Sequence, residues 1–360
     1  MGSLPFWLNA LIFVAAAAVV WVAGVQLSKA TDVLDDRLHI GSAFGGLIVL
    51  AIATNLPEIA ITVSAAMACN LEVAVGNILG GIAMQTVVLV LLDAFGRRDN
   101  LTGPLTFRAA SLVLVLEAVV LVTVLGVVVA GTQLPSDLMF ARLTPDVVII
   151  TAVWVGGLLV IRRAERHLPW KLVHAEHSGS SSEHGSGSAG RHPRSKKPHP
   201  SYAKMSTPKL VAVFAGAALA TLAGGVALER AGDAAASELG LSGVLFGATV
   251  LALATSLPEI STGLQAIRQG DDELAVSDIF GGNAFLPVIL LPATLISGQA
   301  VLPTAGGVDI YLTALAMLLT LVYVIGLILR PHRRVLGMGV DSLIVLLIYG
   351  VGLAGLFALA

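Results

Sequence analysis

Long apolar runs, each close to the length that crosses a bilayer, alternate along this chain with short polar segments. A transmembrane helix needs roughly 20 consecutive apolar residues. Windows of that size predict helices near 5–27, 41–68, 73–95, 107–130, 146–162, 209–228, 241–267, 274–297, 308–329 and 340–359. Five fall on each side of a polar stretch at 164–207. The expected fold is all-α and polytopic: ten transmembrane helices in a first half (1–163) and a second half (208–360), joined by a linker. No basic stretch precedes the first run and no small-residue cleavage site follows it, so it is expected to stay as a helix rather than act as a signal peptide.

The two halves repeat one another. LAIATNLPEI at Leu50–Ile59 returns as LALATSLPEI at Leu251–Ile260, and LEVAVGNILGGIAMQ (Leu71–Gln85) aligns without a gap on DELAVSDIFGGNAFL (Asp272–Leu286). Equivalent residues, such as Glu58 and Glu259, are always 201 positions apart. An odd number of spans per half turns the second half upside down relative to the first. Inverted repeats of this kind mark secondary transporters, whose ion sites form near the bilayer midplane where the repeats meet.

Composition agrees: 56% of residues are hydrophobic, 12% are charged, and the mean hydropathy of +0.89 lies far from that of a soluble domain. With both termini outside, only Arg142 and Arg230 of the 21 Lys and Arg residues stay outside. The rule that basic loops face the cytoplasm therefore selects that orientation in a cell membrane and makes the linker cytoplasmic. The linker is rich in Ser, Gly, Pro and His and is expected to be disordered. Its six histidines (His167, His174, His177, His184, His192 and His199) allow metal buffering or pH sensing beside a plain tether role. Cys69 is the only cysteine, which excludes an intrachain disulfide and a thiolate metal site. There is no nucleophile triad, phosphate loop or metal-hydrolase motif, so neither an enzyme nor a nucleic-acid binder is expected.

The repeated motif carries chemistry. Proline inside a helix leaves the carbonyl four residues earlier without its donor, here Ala53 for Pro57 and Ala254 for Pro258. Freed carbonyls, the Thr54 and Thr255 hydroxyls, the Asn55 amide and the Ser256 hydroxyl then surround Glu58 and Glu259. All-oxygen ligation with two negative charges suits a hard cation such as Ca2+, Na+ or Mg2+. A single such motif is equally well a kinked packing helix with a bonded Glu; the matched pair favours the ion site. On the next helix of each half, Asn77, Gly81 and Gln85 share one face, as do Asp278, Gly282 and Leu286. Glu117, mid-span, reads either as a proton-handling group or as a hydrogen-bonded structural acid. Asp93, Asp309 and Asp341, near span ends, read as interfacial.

ATNLPE and ATSLPE, each followed by a helix containing a Gly-Gly pair, resemble the two alpha repeats of the Ca2+/cation antiporter superfamily, here about 46–92 and 247–293. The resemblance implies alternating access at a central cation site with no cofactor, Ca2+ being exchanged for Na+ or H+. It implies Glu58 and Glu259 as principal metal ligands, with Thr54, Thr255, the carbonyls of Ala51 and Ala252, and Ser256 as further ligands. Gly81 and Gly282 stand where the Na+/Ca2+ branch has Ser, and Gln85 and Leu286 where it has Asn or Asp; Gln85 is closer to the H+/Ca2+ branch. Leu286 cannot ligate, and Asp278 either lines the ion path, partly replacing the lost charge, or serves packing and capping. The expected partners are small inorganic cations and the lipid bilayer. The alternatives are a monovalent cation/proton antiporter and a non-transporting sensor.

Overall fold

The computed structural model describes residues 5–38, 50–96, 103–109, 111–167, 202, 204–238, 250 and 252–359. Most of the predicted histidine-rich linker, the opening residues of the second and seventh predicted spans, and Arg97 and Arg98 lie outside the described residues. The helices are α1 (Phe6–Leu38), α2 (Leu56–Met67), α3 (Leu71–Phe95), α4 (Leu112–Gly131), α5 (Pro145–His167) and α6 (Thr207–Glu238), followed by α7 (Leu257–Gln269), α8 (Asp272–Phe285), α9 (Leu290–Ser297), α10 (Gly307–Leu329) and α11 (Val340–Leu359). Helical turns at 50–54 and Ala252–Thr255 lead into α2 and α7. A 3-10 turn, Leu286–Ile289, joins α8 to α9.

Among the described residues, seven helical stretches are long and apolar enough to cross a membrane by length and composition. Two shorter apolar helices, Leu56–Met67 and Val340–Leu356, accompany them. The repeat persists in the fold: α6, α7 and α8 begin 201 residues after α1, α2 and α3. α1 and α6 run past their predicted apolar windows, because helix geometry continues through polar residues once nucleated.

Burial separates inner from outer helices. The apolar window of α3 is 83% buried and that of α8–α9 61%, against 28% for α1 and α6 and 22% for α5. Val14, Val22, Leu159, Ile325 and Val351 are exposed on the outer helices, as expected of surfaces facing hydrocarbon. α1 runs along α6, and each also packs on the discontinuous helix of the other half: α1 on α7, α6 on α2. The broken helices are thereby held between an outer pair and the α3–α8 core.

The breaks are single-residue kinks. Asn55 (φ −84°, ψ 13°) and Ser256 (φ −80°, ψ 5°) leave the helical region just before Leu-Pro, where proline sits in the first turn and needs no donor. The α2–α3 turn is capped by Cys69 at φ 56°, exposed and free, and the α7–α8 turn by Gly270 at φ 89°. The same left-handed cap is thus filled once by its preferred residue and once by a cysteine.

The acids expected at interfaces do lie near helix ends, but Asp93 and Asp341 are buried, and Asp93 works as a staple. Its Oδ1 accepts from Leu105 N at 2.7 Å, and its Oδ2 from Gly339 N at 2.6 Å and Ser342 Oγ at 2.8 Å. This ties the end of α3 to the hairpin of β1 (Arg334–Val335) and β2 (Met338–Gly339) that precedes α11.

Candidate cation site

Glu58 and Glu259 each occupy the first turn of a discontinuous helix, and both are 1% exposed. They lie close enough to repel one another, and Asp278 adds to the repulsion felt at Glu259. The repeats cross over at this point: the Thr54 hydroxyl faces the Glu259 carboxylate and the Thr255 hydroxyl faces that of Glu58. Among the described residues, no donor in hydrogen-bonding geometry reaches either Glu259 oxygen or Glu58 Oε2. Gln85 Oε1, Asp278 Oδ1 and Asn283 Oδ1 are likewise buried and unpaired. Buried oxygens without donors are costly, and a cation is one way to satisfy them. Among the described residues no three carboxylate, histidine or cysteine side chains form a metal-holding group. An ion would therefore draw on two carboxylates and neutral oxygens.

The neighbouring residues hold the kinks. Ala51 O accepts from Asn55 Nδ2 at 2.7 Å, Asn55 N at 3.2 Å and Thr54 Oγ1 at 3.2 Å. Ala252 O accepts from Ser256 Oγ at 2.7 Å, Ser256 N at 3.0 Å and Thr255 Oγ1 at 3.2 Å. Both carbonyls are saturated, so to ligate an ion they must release a donor. Gln85 Nε2 links Asn55 Oδ1 at 3.2 Å to Glu58 Oε1 at 3.5 Å. Leu286, its counterpart, packs into the apolar core and supplies no such link.

The remaining expected residues divide. Asn77 donates to Thr62 Oγ1 and to the Glu58 carbonyl, both at 3.1 Å, and Asp278 Oδ2 accepts from Thr262 Oγ1 at 2.7 Å. Both therefore join the broken helices. Glu117, on α4, instead accepts from Ser277 Oγ at 2.7 and 2.6 Å. It ties α4 to α8 through the residue beside Asp278.

Sequence reasoning passed over Thr62, Thr262, Thr86 and Asn283. Thr62 and Thr262 lie four and three residues beyond their glutamates, so helical spacing alone would have found them. Asn283 Nδ2 bonds Thr86 Oγ1 at 3.2 Å and reaches the Ile82 carbonyl at 3.5 Å, a contact that only the crossing of α3 and α8 creates.

Two equivalent glycines now differ. A methyl group at Gly282 would lie 2.8 Å from Asn55 Nδ2, whereas one at Gly81 would meet nothing within 4 Å. Asn55 cannot yield without losing its bonds to Ala51 and Gln85. Gly282→Ala is therefore expected to cost about 1–3 kcal/mol and most of the transport rate, and Gly81→Ala under about 0.5 kcal/mol. Thermal melts and flux assays on the two variants check this; equal behaviour would refute the asymmetry.

A helical membrane protein with two related halves and a pair of buried carboxylates in its broken helices has the build expected of a secondary cation transporter. A sequence model described as sodium/calcium exchanger protein matches residues 8–161 and 209–358, and the chain belongs to that family. The CaxA protein of Alkalimonas amylolytica is 28% identical over 313 residues, covering 85% of this chain and 86% of that one. The sodium-calcium exchanger NCX_Mj shares the fold with a TM-score of 0.59 at 14% identity, over 97% of this chain and 99% of that one. The H+/Ca2+ exchanger CAX does so with a TM-score of 0.62 at 13% identity, over 97% and 82%. The protein is thus a multi-pass membrane antiporter of the Ca2+/cation exchanger superfamily and not an enzyme.

Proposed function

We propose that this protein exchanges Ca2+, or a similar hard cation, for Na+ or H+ at one central site, with Glu58 and Glu259 as the principal ligands. Thr54, Thr255, Asn55, Ser256, Gln85 and the carbonyls of Ala51 and Ala252 complete the set. The observation that carries this reading is the pair of buried glutamates, three of whose four carboxylate oxygens have no donor in hydrogen-bonding geometry among the described residues. One divalent ion, two protons or monovalent ions can each neutralise the pair. An empty, doubly charged site resists closure, because burying it uncompensated is costly. Exchange rather than one-way leakage follows. Counting each broken helix once, ten membrane elements form two inverted five-helix repeats that alternate access around this site.

A second reading, monovalent cation/proton exchange, is favoured by Leu286, which removes an oxygen from one side of the centre. Ca2+ prefers six to eight oxygen ligands, and a thinned set suits an ion that demands fewer. The test is uptake of radiolabelled Ca2+ into proteoliposomes under an imposed Na+ gradient, then a pH gradient. Uptake driven by one gradient names the counter-ion. No Ca2+ uptake under either, with Na+ movement driven by pH, would select the second reading.

In the proposed orientation, with both termini outside and the linker cytoplasmic, the α2–α3 turn faces outward. Cys69 sits exposed in that turn. A membrane-impermeant maleimide is expected to label it in intact cells without permeabilisation; labelling only after permeabilisation would reverse the orientation.

A further inference from the structure

Beyond each central glutamate, along its own helix, a threonine is held from the following helix, and the two pairs are chemically unequal. On the path from Glu58 to the α2–α3 turn stands the Thr62–Asn77 pair, which is neutral. On the path from Glu259 to the α7–α8 turn stands the Thr262–Asp278 pair, which carries a carboxylate. Asn77 and Asp278 are equivalent positions, six residues or roughly 9 Å into α3 and α8.

Their surroundings differ as well. Asn77 is half-buried and its amide nitrogen bonds both Thr62 and the Glu58 carbonyl. Asp278 is 2% exposed, with Oδ1 unpaired among the described residues, and its charge acts on Glu259. Toward the α7–α8 turn the two halves pack tightly: Leu92 lies against Gly263, Gly96 against Ile267, and Arg108 pairs with Asp272 at 3.1 Å. A buried acid with, among the described residues, one oxygen lacking a donor and no cation in salt-bridge distance has the chemistry of a way station.

We propose that Asp278 is a side-specific vestibule ligand, a carboxylate subsite that receives a hard cation from the face of the α7–α8 turn and passes it to Glu259. The opposite approach has a neutral amide at the equivalent position, Asn77, and its nearest carboxylate, Asp309, stands off the α2–α3 pair beside Gly76, within reach of Glu72. The inference rests on the two-glutamate site and on the inverted topology, which puts the α2–α3 and α7–α8 turns on opposite faces. The carrier then has unequal apparent cation affinities on its two sides, although the central site itself is nearly symmetric.

The experiment compares right-side-out and inside-out membrane vesicles containing the full-length protein, reading the half-saturating concentration of radiolabelled Ca2+, or of Na+ where Ca2+ is not carried. Asp278→Asn is expected to raise it about tenfold on the α7–α8 face and to leave the other face unchanged, tenfold being about 1.4 kcal/mol. Asn77→Asp is expected to lower it on the opposite face only. Thr262→Val, which removes only the hydroxyl on Asp278, is expected to give a smaller shift with the same sidedness and serves if Asp278→Asn does not reach the membrane. Equal shifts on both faces would make Asp278 part of the central site, and no shift on either would make it a packing residue; both overturn the proposal. Glu259→Gln in the same vesicles tests the central site separately, since flux surviving that change defeats the two-glutamate reading whatever Asp278→Asn does. A wild-type protein moving neither ion overturns both.

Discussion

Glu259→Gln is expected to abolish exchange while raising the stability of the ion-free protein. Among the described residues neither Glu259 oxygen has a donor in hydrogen-bonding geometry, the residue is 1% exposed, and it feels the charges of Glu58 and Asp278. In the ion-free protein at alkaline pH, the isosteric amide removes a buried charge and its repulsion, a gain of about 1–4 kcal/mol by comparison with other buried charges replaced by neutral groups. Transport should fall at least about 100-fold, because the divalent ion loses one of its two compensating charges. Ca2+ should shrink that difference or reverse it. The wild type gains about 2.7 kcal/mol at a hundred times its dissociation constant, and the variant gains little. Thermal melts with and without Ca2+, alongside flux, read both signs. A variant that is less stable than wild type without the ion would make Glu259 a structural residue.

Gln85→Leu should move activity the same way and stability the opposite way. Its Nε2 is the donor joining Asn55 Oδ1 to Glu58 Oε1. Leucine, the residue at equivalent position 286, fits the volume but leaves both acceptors in a dry interior without that donor. Each such loss costs about 1–3 kcal/mol. Cation affinity should drop roughly 10–100-fold, since Glu58 is no longer oriented and the Gln85 carbonyl oxygen is gone. Chemical denaturation in detergent and a Ca2+ titration of flux test this. Unchanged affinity would remove Gln85 from the site, and unchanged stability would mean that its hydrogen bonds are replaced by others.

Much of this protein was legible before folding because a bilayer simplifies the code. With no water to satisfy the backbone, an apolar run must be helical, and a glutamate within one needs a reason. The repeat supplied that reason twice at a fixed spacing, so Glu58 and Glu259 stood out at once. Thr62 and Thr262 were legible in principle from their helical spacing to the glutamates. Asn283 was not, because its bonding to Thr86 depends on how closely α3 and α8 approach, and periodicity within one helix carries no record of that distance.

The linear pattern alone determined that this is a helical membrane protein of two related halves and that its acids lie at the centre of each repeat, since hydrophobicity and register are properties of the chain itself. Tertiary packing decided what those acids do to one another. It buried Glu58 and Glu259 with only Gln85 donating to their carboxylates among the described residues, saturated the Ala51 and Ala252 carbonyls, filled the space over Gly282 while leaving Gly81 open, and buried Asp278 while its equivalent Asn77 stayed half-buried. Two repeats of nearly the same sequence become unequal once packed, because each faces different neighbours, and an interaction between distant segments exists only when both are in position.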